Sequence, residues 1–261
     1  MAKTPDDLHP AAAEGFGQGA RIYARGRPSF PPQALDWLKH DLQLGPGKIL
    51  LELGAGTGKF TKVLAQTGAD VLAVEPVAAM LEQLAAEQPQ VRTLRATAQS
   101  LPISAGSMDA VICAQAFHWF ATREALAEMR RVLKPGGFLG LIWNVRDESV
   151  DWVRRLTAIM APHEGDAPRY YRGEWREVFP APGFGELQER SFPHTHVGSP
   201  EQVIVERVAS VSFIAALDVA TRGRVLDEVR VLIASTPELK GRASVEMPYF
   251  TQAYWCRATG S

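Results

Sequence analysis

Between residues 48 and 144 five short apolar runs alternate with helical segments, and this rhythm constrains the fold more than any other feature of the chain. The runs are KILLEL (48–53), ADVLAVE (69–75), VRTLRA (91–96), MDAVICA (108–114) and FLGLIWN (138–144). Between them lie TKVLAQTG, closed by Gly68 as helices commonly are, VAAMLEQLAAEQ (77–88), stopped by Pro89, and REALAEMRRVL (123–133), ended by LKPGG. Strands alternating with helices of this length build βαβ units on a mainly parallel sheet. Right-handed crossovers put helices on both faces, and near-continuous apolar strands suit a sheet covered on both sides. The expectation is an α/β, doubly wound architecture.

The flanks are less regular. Residues 1–30 are polar at first and then rich in Gly and Pro, whereas PPQALDWLKHDL from Pro31 spaces Leu35, Leu38 and Leu42 as a helix does. After Asn144 the sequence predicts an amphipathic helix over 147–160, an aromatic-rich loop over 161–175 and a strand pair or one bulged strand over 184–198. Two helices over 201–217 and 219–236 and a closing strand over 244–258 follow. No repeat or low-complexity linker divides the chain. One domain over 1–261 is therefore expected: an N-terminal lid segment (1–30), a core (31–146), cap insertions (147–183 and 199–240) and closing strands (184–198 and 241–258).

Composition excludes several function classes. Lys plus Arg is 28 against 29 for Asp plus Glu, so no basic excess favours nucleic acid or an anionic membrane. No run of about 18 apolar residues predicts a membrane span, and MAKTPDDLHP lacks the apolar core of a secretory signal. The two cysteines, Cys113 and Cys256, rule out a disulfide scaffold and point to a reducing, cytoplasmic setting. His194 and His196 form an H-x-H pair with no third ligand at a metal-site spacing, so no metal is expected.

The chemistry-bearing stretch is LLELGAGTGKF (50–60), a strand, a glycine turn and a helix start. Glycine there permits unusual dihedrals and close approach of a ligand to the main chain, and the next helix offers unpaired N–H groups. A phosphate-binding P-loop fails, because Leu53 stands where its first glycine belongs and Phe60 where its hydroxyl does. The dinucleotide pattern G-x-G-x-x-G, which would make the chain a nicotinamide oxidoreductase, fails at Lys59. What remains is an acid, Glu52, followed by Gly54, Gly56 and Gly58 at intervals of two.

With Glu75 ending the second strand, ATAQSLP (96–102) after the third, CAQAFHWF after the fourth and RRVLKPGG before FLGLIWN, the chain resembles the class I S-adenosylmethionine-dependent methyltransferases. Through YARGRPSFP (23–31) and His118-Trp119-Phe120 it is similar to small-molecule methyltransferases of the trans-aconitate methyltransferase type. The resemblance implies a doubly wound, seven-stranded, mainly parallel sheet with helical caps and a site for S-adenosyl-L-methionine. The implied cofactor residues are Glu52, Gly54, Ala55, Gly56, Gly58, Glu75, Pro76, Met80, Ala98, Gln99 and Gln115, with Glu75 on the ribose hydroxyls and Ala98 and Gln99 at the adenine. Glu52 stands where aspartate is commoner, and Gln99 where an acid is frequent. The Asn/Asp-Pro-Pro-Tyr signature of adenine amino-group methylases is absent, which disfavours a nucleic-acid base as substrate.

The reaction implied is SN2 transfer of a methyl group to a small molecule, in a monomer or homodimer, with a non-catalytic cofactor-binding regulator as the alternative. Substrate contact falls to Tyr23, Arg27, His118, Trp119 and Trp143. A carboxylate or thiolate acceptor needs no general base, and Arg25, Arg27 or Arg146 would hold it. A hydroxyl acceptor needs a base, for which His118 is the candidate; its ring equally suits local packing. The aromatic residues at 170, 171 and 175 are expected to wall a pocket beneath the cap.

Overall fold

The apolar runs become strands, and where each run ends a ligand-sized crevice begins. The computed structural model describes residues 26–166 and 168–260. Among them, β1 (Ile49–Leu53), β2 (Asp70–Val74), β3 (Arg92–Leu94), β4 (Met108–Ala114), β5 (Leu133–Arg146), β6 (Gln188–Gly198) and β7 (Val245–Arg257) form one seven-stranded sheet. Its order is β3-β2-β1-β4-β5-β7-β6. The first four pairings are parallel, whereas β7 runs antiparallel to both β5 and β6. Strand order reverses between β1 and β4, and sheets of this kind bind ligands beyond the carboxyl ends of the strands at such a switch.

Alternate residues of β1 and β4 serve opposite faces, as the strand period requires. Leu51, Leu53, Val111 and Cys113 enter one core with Leu126, Met129 and Val132 of α4 (Arg123–Val132), whose N-terminus is capped by the Thr122 hydroxyl. Leu50, Ala110 and Ile112 enter a second core with Ala34 of α1 (Pro32–Asp36), Trp37, and Leu64 of α2 (Thr61–Ala65). The helix α3 (Ala78–Glu87) packs through Leu84 against Ala55 and Ala73.

A third core lies under the cap. Trp152, Val153, Leu156 and Met160 of α5 (Asp151–Met160) meet Val225, Val229 and Leu232 of α6 (Val219–Ser235), above Val245, Met247 and Tyr249 of β7. Because β7 inserts between β5 and β6, this cap is anchored to the β5–β7–β6 side of the sheet.

Several elements differ from the sequence expectation. The predicted 201–217 helix is broken: a wide π-type turn (Glu201–Glu206), a short α turn (Arg207–Ala209) and a separate turn (Ser212–Ala215) replace it. Val211 between them is extended, and buried Ser210 and Ser212 interrupt the apolar face. The helix after Pro31 stops at Asp36 and continues as a π-type turn, Trp37–Asp41. α5 begins at Asp151 and not at 147, because Asp147 is turned by bonds from the backbone N–H and hydroxyl of Ser149. Residues 188–198 form a single strand.

Candidate active site

The glycine loop leaves β1 at the switch point and is pinned there by its own backbone. Gly54 and Ala55 both donate N–H to the carbonyl of Val74 (2.9 and 3.1 Å), and Gly58 donates to Ala55 (3.0 Å). Gly54, Gly56 and Gly58 have φ of +70°, +57° and +84°, the left-handed region that only glycine enters freely. Their surroundings differ. A Cβ on Gly54 would lie 2.6 Å from Ala116 Cβ, and one on Gly58 would lie 2.3 Å from Gln88 Nε2 and 2.9 Å from Leu84 Cγ. Among the described residues a Cβ on Gly56 would meet only Met80 Sδ, at 3.9 Å. Gly54 and Gly58 thus serve close packing, and Gly56 faces open space.

That space is a cavity of about 520 Å³, its mouth included, lined by Glu52, Gly54, Ala55, Gly56, Thr57, Lys59, Gln115 and Asn144 among others. Arg27 and Arg207 close one side of it. Glu52 is buried and accepts a bond from Thr61 Oγ1 (2.5 Å). Glu75 is also buried; one oxygen accepts the N–H of Gly56 and the other that of Val77, both at 2.9 Å. Thr57 Oγ1 is buried and has no partner among the described residues. Lys59 donates to the carbonyl of Arg27, tying the chain before α1 to the glycine loop.

Burial drives both carboxyls toward their neutral forms. Glu52 is pushed up to about 8 by burial, against the Thr61 bond and with help from the charge of Glu75. Glu75 is pushed up to about 7 by burial, against the two backbone bonds. Both folded values lie above the ordinary 4.5, so their contribution to stability is complete below that pH and is lost as pH rises through 7 to 8. Glu52→Gln, which cannot ionise, should therefore match wild type near pH 5 and melt at higher temperature near pH 8.5, without ligand. Melting curves across that range check this; a difference independent of pH would overturn it.

A second cavity, of about 980 Å³ with its mouth, opens under the cap. Gln115, Asn144, Arg27 and Arg207 line both cavities, so the two meet there. Gln115 follows β4 with φ of +58°, an uncommon conformation for a non-glycine residue, and its Nε2 donates to the Asn144 carbonyl (3.3 Å). Asn144 is buried, donating to the Ser29 carbonyl (2.8 Å) and accepting from Thr251 Oγ1 (2.6 Å). His118, Trp119, Trp143, Tyr170 and Tyr171 line the cap cavity. Trp143 Nε1 donates to His118 Nδ1 (3.1 Å). The neutral ring therefore carries its proton on Nε2, and burial, aided by the charges of Arg169 and Arg27, holds the imidazole down to about 3. Such a histidine donates a hydrogen bond and does not take up a proton at neutral pH.

The structure thus gathers Glu52, Gly54, Ala55, Gly56 and Gln115 in one cavity, His118, Trp119 and Trp143 in the next, and Arg27 where they meet. Glu75 and Met80 reach the loop through Gly56. Gly58, Glu75, Pro76, Met80, Ala98 and Gln99 line neither cavity; Ala98 is buried in the first core. Trp175 is core, packed on Trp143, Phe117 and Tyr254. Tyr23 and Arg25 lie outside the described residues. Sequence reasoning missed Asn144, Arg169 and Arg207. A polar residue ending an apolar strand run was a readable signal for Asn144, but nothing in the cap sequence marked the arginines. Among the described residues no cluster suited to a metal occurs, and no helix is long and apolar enough to cross a membrane.

The chain matches the methyltransferase domain family over residues 51–141. It is 41% identical over 236 residues to an uncharacterized methyltransferase of Mycobacterium bovis, covering 90% of this chain and 92% of that protein. An uncharacterized methyltransferase-like protein of Schizosaccharomyces pombe is 36% identical over 233 residues, 89% of this chain and 91% of its own. A solved structure described as a type II methyltransferase, from Anaeromyxobacter dehalogenans, superposes with a TM-score of 0.66 at 25% identity, covering 89% of this chain and 97% of that one. With the sheet order and glycine loop above, these matches define the class: the chain belongs to the class I S-adenosylmethionine-dependent methyltransferases.

Proposed function

We propose that this methyltransferase binds S-adenosylmethionine along the glycine loop and moves its methyl group, by SN2 displacement, to a small-molecule nucleophile in the cap cavity. The observation that carries the reading is the meeting of the two cavities at Gln115, Asn144, Arg27 and Arg207. The first cavity fits the cofactor on three counts. Gly56 leaves room where any side chain would intrude, Thr57 Oγ1 lacks a partner among the described residues, and the buried Glu52 carboxyl lines the cavity, where a ligand with a net positive charge would restore its ionised form.

When bound, the cofactor supplies a methyl group activated by a sulfonium. The residues of this chain hold and orient. Glu75 receives the ribose hydroxyls, Glu52 and the Gly54–Gly56 backbone flank the methionine portion, and Gln115 marks the boundary with the acceptor's cavity. Pro76, Met80, Ala98 and Gln99 belong to the adenine side. Trp119, Trp143 and Tyr170 exclude water around the acceptor. Alignment and dehydration of this kind are worth roughly 7–11 kcal/mol at best, and a sulfonium leaving group needs no further polarisation.

His118 enters as a hydrogen-bond donor to the acceptor. Its value of about 3 leaves no imidazole titration in kcat between pH 6 and 8, and a pH–rate profile checks this. An inflection near 6.5 that disappears in His118→Gln would make it a general base instead. The reading as a whole is tested by calorimetry with S-adenosylmethionine and by transfer of labelled methyl to a panel of carboxylic acids, thiols and phenols. No binding of the cofactor would overturn it.

A further inference from the structure

We propose that the cap cavity is built for a flat, anionic substrate whose carboxylate is held by Arg146 as an anchor, while the atom that receives the methyl lies at the opposite end, toward the junction. The inference rests on the methyltransferase reading above and adds the substrate class and its orientation.

The charge of the cavity carries the first part. Its lining holds four arginines, Arg27, Arg146, Arg169 and Arg207, against two glutamates, Glu148 and Glu164. Glu164 is already engaged by Arg169 (3.3 Å) and Arg172 (3.1 Å), and Glu148 accepts from Thr157 Oγ1 (2.8 Å). Among the described residues no carboxylate lies within ion-pair distance of Arg146 or Arg207. Among the described residues Arg146 Nη1 reaches only Met160 Sδ (3.9 Å), Arg207 Nη1 reaches Ser210 Oγ (3.4 Å), and Arg207 Nε is buried with no partner. A half-buried guanidinium left without an anion is costly, and its planar fork matches a carboxylate. Burial and the charge of Arg207 also pull Arg146 down to about 10, the direction expected of a cation awaiting a counter-ion.

Position carries the second part. The cavities meet at Asn144, and Arg146 follows two residues further along β5 on the same face, about 6.5–7 Å beyond the junction. Its guanidinium approaches Met160 of α5, which lines the cap cavity alone. An anion seated there is separated from the cofactor's cavity by about the length of one aromatic ring, so it is not itself the methyl acceptor. Aromatic residues also line the cap cavity: Trp143, from the other face of β5, and Tyr170 have ring centroids 4.7 Å apart, and Phe213 lies under Arg169 at 4.4 Å. A hydroxyl or thiol across the ring from the carboxylate reaches the junction. The acceptor gives up its proton to solvent before it binds and enters as the phenolate or thiolate; there its bond to the methyl carbon forms as the carbon–sulfur bond breaks, and that bond's electron pair stays on the cofactor's sulfur.

The test uses the full chain saturated with S-adenosylhomocysteine, with 4-hydroxybenzoate, 4-mercaptobenzoate and 6-hydroxy-2-naphthoate as probes beside their neutral carboxamides. Calorimetry should find at least one acid bound tenfold or more tighter than its amide. Arg146→Ala should erase that preference, Arg146→Lys should keep part of it, and both variants should bind S-adenosylhomocysteine as wild type does, which also reports that they fold. In a crystal structure of the complex the carboxylate should sit on Arg146 and the hydroxyl or thiol should face the sulfur. Equal binding of acids and amides, no binding of any acid, an acid preference that survives Arg146→Ala, or a carboxylate facing the sulfur would each overturn the proposal. Loss of S-adenosylhomocysteine binding by wild type would instead overturn the methyltransferase reading beneath it.

Discussion

Gly56→Val is expected to lose roughly a hundredfold or more in affinity for S-adenosylmethionine, about 2.7 kcal/mol, while the protein still folds. The three glycines of the loop look alike in sequence and do different work. Among the described residues a side chain on Gly56 finds only Met80 Sδ, at 3.9 Å, so it has room there, and what it fills is the ligand's path. The remaining penalty is the φ of +57°, of order 1–3 kcal/mol for a side chain forced into that region. Gly58→Ala is the opposite case. Its Cβ would overlap Gln88 Nε2 and Leu84 Cγ, pushing α3 off the loop, so it should lower the melting temperature more than Gly56→Ala does. Calorimetry and thermal melting on the three variants separate the two effects. Unchanged affinity in a folded Gly56→Val protein would mean that the cofactor does not lie against this loop.

That contrast shows how far the sequence could be read. β1, β2, β4 and β5 were legible because strands buried on both faces are near-continuous apolar runs, and the helices between them end at Gly68 and Pro89 as local chemistry demands. The glycine loop was legible as a unit, since its acid, its spacing and the strand before it all lie within ten residues. Which of its glycines faces a ligand was not, because that depends on what packs opposite: Ala116, Met80, or Gln88 with Leu84. The cap was the least legible part. Its 201–217 segment has the apolar content of a helix, but buried serines and an extended Val211 break it into turns. The convergence of Arg146 and Arg207 exists only because β7 pairs with β5 on one side and β6 on the other. His118 was visible as a candidate base, but its hydrogen bond from Trp143 depends on the register of β5 against β4, which no local pattern encodes.

Glu75 offers the second large effect, and the structure sharpens it. Glu75→Ala should weaken the cofactor by about 1.5–3 kcal/mol, the usual scale for losing hydrogen bonds to a charged group, or roughly ten- to a hundredfold. Residue chemistry alone suggests that Glu75→Gln loses less, since one acceptor remains. Yet both Glu75 oxygens already accept backbone N–H groups, from Gly56 and from Val77, each at 2.9 Å. An amide brings one oxygen and one NH2 group, so one of those N–H donors must face another donor. Either choice disturbs the site. Turning the NH2 toward Gly56 loosens the loop against which the cofactor lies, and turning it toward Val77 loosens the entry to α3. Glu75→Gln is therefore expected to fall close to Glu75→Ala in affinity and below wild type in melting temperature. Glu75→Asp, with both acceptors but a shorter reach, should retain more of each. Calorimetry with S-adenosylmethionine and S-adenosylhomocysteine, set beside melting curves, gives the ranking. If Gln binds as wild type does while Asp does not, side-chain length and not the pair of acceptors is what this position supplies.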